Sequence, residues 1–287
     1  MTRKYQKGLP RHEAGQAVLV VLLSLSVVLI IVLFILSRSI TDLSLSTKEE
    51  DSLRAFSAAE AGVERALIAG STGNLTIGDA NFSATVAEFA EGSTEVIYPI
   101  SLYSGENAIF WFSRPNSLGF TGSQFKVCWA DSGTSNSDAT TPALEITVVY
   151  RTTVGEYRVA RKMLDPNTSG RTSSNGYVAA GTCTVSGQIF QFQNTVTFDA
   201  SGLNIANYAT DGVLQYATAK LLYNTATAHK VAIDITGTGS VLPSQGALVD
   251  SKGNFGDANR RIEVYQLHPE TPPIFANAIF SSGSIIK

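Results

Sequence analysis

The chain has 287 residues, of which 44% are hydrophobic and only 16% are charged, and its formal net charge is −3. Such a chain is too apolar for an intrinsically disordered protein, and it is too poor in Lys and Arg for a polybasic nucleic-acid binder. Its length allows one large β domain or two modest ones.

The first element is a long apolar run near the N-terminus. Residues 17–36 contain no charged residue, Pro or Gly, and twenty helical residues rise about 30 Å, the thickness of a bilayer's hydrocarbon core. Four basic residues and one acid precede the run, a balance of 4 − 1 = +3, whereas the rest of the chain carries 17 − 23 = −6. The positive-inside rule predicts a membrane span at 17–37, a cytoplasmic leader at 1–15 and an exported remainder.

A cleaved secretory signal is the alternative explanation for this N-terminus, because a basic arm and an apolar core are also the first two parts of a signal peptide. The run is longer than the core of about 7 to 15 residues that signals usually have. No small-x-small cleavage motif closes it, since Ser37, Arg38, Ser39 and Ile40 follow. These features favour a retained membrane helix.

The helix is predicted to continue beyond the membrane, over residues 16–70. Residues 38–69 contain no Pro and one Gly, and they are rich in Ala, Glu, Arg and Leu, which favour helix. Gly70, followed by Ser-Thr-Gly, is a suitable C-terminal stop. One helix of about 80 Å results, at 1.5 Å per residue.

The outer half of this helix has an apolar stripe at helical spacing. Its members are Leu53, Phe56, Val63 and Leu67. We expect the stripe to pack the helix on its own β domain; the alternative is contact with other subunits. Glu60 fills a gap in the stripe, either as a solvated residue or as one partner of a salt bridge.

After Gly70 the pattern changes from helical period to alternation, with segments rich in β-branched and aromatic residues between polar turns. This alternating pattern predicts antiparallel strands in a first β-rich region at 71–165 and in a second at 183–287. The polar segment 166–182 is either a linker between two lobes or a surface loop. The predicted fold class is α+β: a long N-terminal helix, half transmembrane, packed on an antiparallel β-rich extracytoplasmic domain.

Cys128 and Cys183 are the two cysteines, and both fall in the part predicted to be exported. An oxidising compartment permits a disulfide between them, whereas a cytosolic location would leave two buried thiols. The predicted topology favours the disulfide.

The sequence contains few of the motifs that are typical of catalytic sites. The histidines His12, His229 and His268 stand without the neighbours that a metal site requires. No phosphate-binding loop, dinucleotide fingerprint or serine-nucleophile motif occurs in a suitable context. We therefore expect no enzyme, catalytic residue, cofactor, metal, small-molecule substrate or nucleic-acid partner, and a membrane-anchored hydrolase is disfavoured.

The N-terminal features together resemble a known family. A basic leader ends in Gly15, the apolar run begins Gln16-Ala17-Val18-Leu19-Val20, an Arg-Ser pair closes it, and AFSAAEAGVERAL follows at 55–67. This order is similar to that of PilX-type minor pilins of type IV pili and related pseudopilins. The stretches LLYNTATAHKVAI, LPSQG and RRIEVYQLHPETPPIFANAIFSSGS resemble the tail of such proteins. Residues 71–210 carry little of the resemblance.

The resemblance implies that prepilin peptidase cuts after Gly15 and leaves Gln16 as the new N-terminus. Major pilins have Glu at the fifth mature position, where this chain has Val20. The missing carboxylate removes the partner that a neighbouring subunit's buried ammonium needs, which is typical of a minor subunit. Implied partners are other pilin subunits, the pilus assembly machinery and the peptidase.

The expected function is therefore structural: a minor pilin or pseudopilin, anchored in the cytoplasmic membrane before assembly and located in a pilus or at the cell surface afterwards. It would assemble through its apolar N-terminal helix. The alternative is an uncleaved, signal-anchored cell-surface protein whose β domain binds a ligand.

Overall fold

A computed structural model describes residues 14–114, 119–171 and 181–269 of the chain. These ranges contain one long N-terminal helix followed by antiparallel β structure, as the α+β prediction requires. The helix, α1, spans Ala14–Ala69. The strands are β1 (Gly73–Ile77), β2 (Ala80–Phe89), β3 (Glu95–Ile97), β4 (Asn107–Trp111), β5 (Gln124–Asp131), β6 (Ala143–Arg151), β7 (Tyr157–Leu164), β8 (Cys183–Val185), β9 (Gln188–Thr197), β10 (Leu214–Leu222), β11 (Val231–Asp234), β12 (Gly246–Phe255) and β13 (Ala258–Leu267).

Helix α1 has 56 residues and closely matches the predicted range. It ends before Gly70, whose φ of +61° is the left-handed conformation that terminates many helices. By length and composition it is the one helix in the described ranges that could cross a membrane. Its apolar segment 17–36 is exposed throughout.

Four hydroxyl side chains of α1, two of them within segment 17–36, each donate a hydrogen bond to the carbonyl oxygen three or four residues earlier. The donors are Ser24, Ser26, Thr41 and Thr47, with oxygen–oxygen distances of 2.8–3.0 Å. Their polarity is therefore satisfied within the helix itself.

The chain divides into two compact units. The first comprises Met1–Ile68, Thr72–Ala84 and Ser251–Ile262, and the second comprises the remainder. A sheet of order β1-β2-β12-β13 contributes strand segments to the first unit. Within that unit, β1 pairs with β2 in antiparallel register from Gly73 opposite Ala84 to Ile77 opposite Ala80.

The second unit contains two further sheets, of order β4-β10-β6-β7 and β3-β11-β5-β9-β8. Every pairing whose register is described is antiparallel. Buried side chains of both sheets form one core cluster, in which Phe110 and Val148 of the first sheet join Val127, Trp129 and Phe192 of the second. Burial of these apolar side chains is the main stabilising contribution to the unit.

The two β-rich regions predicted from the sequence, 71–165 and 183–287, do not form separate lobes. Strand β5 of the earlier region lies between β9 and β11 of the later region, and β6 pairs with both β7 and β10. The segment 166–182 consequently connects strands of one unit, β7 and β8.

The described part of this segment, 166–171, is held to the rest of the second unit by the side chain of Arg171. The Arg171 guanidinium pairs with the buried Asp165 carboxylate at 3.0 Å and donates to the carbonyl oxygens of Ala139 and Thr141 at 2.8 and 2.6 Å. It also stacks 4.0 Å from the ring centroid of Tyr223. Residues 172–180 lie outside the described ranges.

The predicted disulfide is present. Cys128 of β5 and Cys183 of β8 are bonded, and their Cα atoms are 6.3 Å apart. They belong to a small second cluster with Val185, Phe190 and Ala232, distinct from the main core. The bond covalently attaches the short edge strand β8 to the interior strand β5.

Candidate functional site

The outer half of α1 buries a face made of small residues. Its members recur at intervals of one, three or four residues, and such intervals place them on one side of a helix. They are Ala55, Ala58, Ala59, Gly62 and Ala66, and the four alanines are at most 4% exposed.

Strands β2 and β12 approach this small-residue face within the first unit. A Cβ atom at Gly62 would overlap Ser251 Oγ and lie 2.9 Å from the Phe82 ring. A Cβ atom at Gly253 would overlap the backbone oxygen of Ala55 and the backbone nitrogen of Ala59. The helix and the strands can approach this closely only because the facing side chains are absent or small.

Within the first unit, the strands cover the small-residue face and not the large apolar stripe that was expected to pack on the β domain. Leu53 is 68% exposed, Phe56 43% and Leu67 38%, and Val63 is half-buried. At 100° per residue the stripe is centred about 120° around the helix from the small-residue face. Leu and Phe side chains facing the strands would have held the helix backbone farther away, so the small residues form the packed face.

Glu60 lies within this exposed stripe and is itself exposed. No ion pair joins it to another described residue. Of the two alternatives for Glu60, the described part of the chain shows the solvated residue, with no salt bridge inside the protein. The stripe presents large apolar side chains around one solvated carboxylate.

A shallow cavity of about 520 Å³ lies beside the stripe, and its lining is mainly apolar. Leu53 and Ala58 of α1 line it, together with Gly78 in the β1–β2 turn and Phe255 at the end of β12. The Arg54 guanidinium lies 4.8 Å from the centroid of the Phe255 ring, an arrangement that a cation–π attraction stabilises. The apolar surface of the stripe thus extends onto the neighbouring strand.

The residues predicted for processing lie at the start of α1. Gly15 and Gln16 are helical, and Gln16 is exposed. Val20, the position without Glu, is 61% exposed and belongs to the apolar segment. Leader residues 1–13 lie outside the described ranges.

The described titratable groups with shifted pKa values lie in the second unit, and one of them, Asp234 of β11, pairs with Lys126 of β5. Burial tends to raise the pKa of Asp234, but hydrogen bonds from Lys126 at 2.8 Å and Thr236 at 2.7 Å outweigh it and hold the pKa below its usual value. Burial, helped by the charge of Arg114, lowers the pKa of His268. Neither group faces a second titratable residue in an arrangement suited to acid–base catalysis.

The structure contains a buried polar cluster around His229 that the sequence did not predict. His229 is 7% exposed, and its Nδ1 lies 3.1 Å from an Asp131 carboxylate oxygen. The sequence separation of 98 residues leaves no local signal for this pair. Within the described ranges, no group of three or more His, Cys, Asp and Glu side chains could hold a metal ion.

No protein-family model, curated protein or solved structure matches this chain. Helix α1 has the geometry with the clearest functional implication. Its apolar N-terminal half is exposed, and its outer half has one face covered by strands and one exposed apolar stripe.

Proposed function

We propose that this protein is a structural minor pilin or pseudopilin of a type IV pilus-like filament. Segment 17–37 anchors it in the cytoplasmic membrane, with the N-terminus inside and the β-rich part exported. After processing by prepilin peptidase, α1 packs among the helices of other pilin subunits as the assembly machinery extracts it from the membrane. The observation that supports this proposal is the division of the outer half of α1 into a covered small-residue face and an exposed large-residue stripe.

The exposed stripe favours a protein partner over water. Large apolar side chains each contribute about 1.5–3 kcal/mol when fully buried, and several of them lie along one line of the helix. The apolar segment 17–36 is separate from this line and also needs lipid or protein surroundings. A filament supplies both kinds of cover, because it surrounds successive parts of each helix with neighbouring helices.

Val20 restricts where such a subunit fits. Its own N-terminal ammonium can pair with a Glu of a neighbouring subunit, but it offers no carboxylate to the next subunit. An unpaired charge in apolar surroundings is costly, so consecutive copies are disfavoured. The proposed location is at or near filament ends, in few copies.

A pair of matched variants tests the interface. Phe56→Ser removes a stripe side chain, and Ile68→Ser removes a side chain that is 82% exposed and lies off the stripe. Loss of one buried Phe contact predicts about a tenfold or larger decrease of Phe56→Ser in sheared filaments, at unchanged membrane levels. Ile68→Ser should assemble like the wild type. Equal assembly of the two variants would contradict an interface at the stripe.

The alternative, a signal-anchored surface protein with a ligand-binding β domain, makes a different prediction for the N-terminus. N-terminal sequencing of the membrane-bound protein should begin at Gln16 for a processed pilin. A sequence beginning at Met1 or Thr2 would support the anchored protein instead.

A further inference from the structure

The second unit contains a polar cavity of about 250 Å³ that the proposed filament role does not use. It lies between the loop that follows β5 and the loop that follows β10. Hydroxyl, amide, imidazole and carboxylate groups line it, and none of the described residues that line it is Lys or Arg. Its lining includes Thr134, Asp138, Thr140, Asn224, Thr227 and His229.

Asn224 provides a buried acceptor that lacks a partner. The residue is 1% exposed, and its Nδ2 donates to the carbonyl oxygens of Leu102 and Thr227 at 2.9 and 3.1 Å. Both partners are acceptors, so the amide orientation is fixed and the oxygen is at the other position. Oδ1 is buried and has no hydrogen-bond partner. A buried acceptor left unpaired is destabilising.

His229 provides a second acceptor. Its Nδ1 is 3.1 Å from an Asp131 carboxylate oxygen, while the Asp131 amide approaches the same nitrogen at the longer distance of 3.5 Å. The carboxylate attracts the ring proton to Nδ1, and in the neutral ring Nε2 is then an acceptor. No described residue donates a hydrogen bond to Nε2.

The surrounding backbone holds these groups in place. Ala130 and Tyr223 directly precede Asp131 and Asn224, and both adopt left-handed φ angles, +64° and +74°, which are unfavourable for residues with a Cβ. Such conformations persist only where the surrounding structure fixes them. The acceptors are therefore pre-organised, which lowers the entropic cost of binding.

The composition of the lining defines the ligand class. Without a basic residue the cavity does not suit an anion, and the described residues lack the ligand set of a metal site. Imidazole and carboxylate acceptors together with hydroxyl groups are complementary to a ligand with several hydroxyl donors. We propose that this cavity binds a neutral polyhydroxyl ligand of the size of one sugar ring, whose hydroxyl groups donate to His229 Nε2 and form hydrogen bonds with the threonine hydroxyl groups of the lining.

The test uses the full-length protein in a zwitterionic detergent without sugar headgroups. N-acetylglucosamine, methyl glucoside and myo-inositol serve as probes, and saturation-transfer NMR measures binding. Thr140→Val and Thr227→Val remove exposed hydroxyl groups of the cavity, and Thr153→Val removes an exposed hydroxyl of a different cavity. At least one probe should bind saturably. Each cavity variant should weaken its binding about two- to tenfold, as expected for one neutral hydrogen bond, and the control should not.

Three outcomes would overturn the proposal. The first is the absence of saturable binding by every probe. The second is equal weakening by Thr153→Val, which would locate the binding elsewhere. The third is saturable binding of calcium or methylammonium, but of no polyol, with sensitivity to Thr140→Val, since the cavity would then be a cation site. None of these results depends on whether the chain enters a filament.

Discussion

Gly253→Ala should disrupt the packing of α1 on strand β12. The added methyl group would lie against the backbone oxygen of Ala55 and the backbone nitrogen of Ala59, well inside the 3.0 Å that real Cβ contacts respect. Backbone atoms cannot rotate away as a flexible side chain does, so the helix and the strand must separate. That separation also reduces the contacts of the neighbouring small residues.

Overpacking of this kind typically costs about 1–3 kcal/mol, and the backbone position of the clash places Gly253→Ala at the upper end of that range. Gly73→Ala is the matched control. Gly73 is in β1 of the same unit, its φ lies outside the left-handed region, and a Cβ there meets nothing within 4 Å. The control should be neutral or stabilising by about 0.4–1 kcal/mol, because Ala restricts the unfolded chain more than Gly does.

Hydrogen exchange measured by mass spectrometry, on the full-length protein in detergent, reports the result segment by segment. Gly253→Ala should accelerate exchange in 251–262 and in the outer half of α1, by roughly thirtyfold or more if the cost is about 2–3 kcal/mol. Gly73→Ala should leave both segments as protected as in the wild type. Unchanged protection in Gly253→Ala would refute the close helix–strand packing described above.

Three further outcomes are expected. Replacement of Cys128 and Cys183 by Ser should lower the free energy of unfolding by about 2–4 kcal/mol. A reductant should lower the Tm of the wild type but not that of the variant. A wild-type Tm that does not respond to the reductant would contradict this prediction. For Asp234, whose folded pKa lies below its usual value of 3.8, the stabilisation is present above that value and is lost as pH falls through the folded pKa. Asp234→Ala should therefore be less stable than the wild type by about 1–2 kcal/mol at pH 7, with a smaller difference near pH 3, in urea titrations; a constant difference would argue against the ionised pair. Val20→Glu should increase incorporation along filament shafts, and abundant, evenly spaced immunogold labelling of the wild-type protein would exclude the end location.

Local signals account for what the sequence predicted well. The start of α1 follows from an uninterrupted apolar run, and its end follows from Gly70, whose left-handed φ is the conformation expected of a helix-terminating glycine. Alternation of apolar and polar residues similarly indicated the strands, because that pattern is a property of a few consecutive residues.

The choice of packing face was not a local matter. The large stripe has the stronger hydrophobic signal, but the buried face is decided by Gly253, which is almost two hundred residues from Ala55 and allows the backbones to approach. The pairing of β5 with β9 likewise joins residues whose contact no short pattern encodes. The cavity around Asn224 depends on two left-handed residues and on a histidine–carboxylate pair, none of which has a signature in the sequence.

The hydroxyl groups of Ser24, Ser26, Thr41 and Thr47 have a consequence for movement between environments. Because each is bonded to a carbonyl of its own helix, the helix carries its polar partners with it. A transfer from lipid to a protein interior would then require no exchange of these hydrogen bonds. They also do not fix the position of α1 along a neighbouring helix. In the proposed pilin, rotation and sliding of α1 against its surroundings would be opposed chiefly by the fit of apolar side chains, so one helix would suit both a fluid bilayer and a filament.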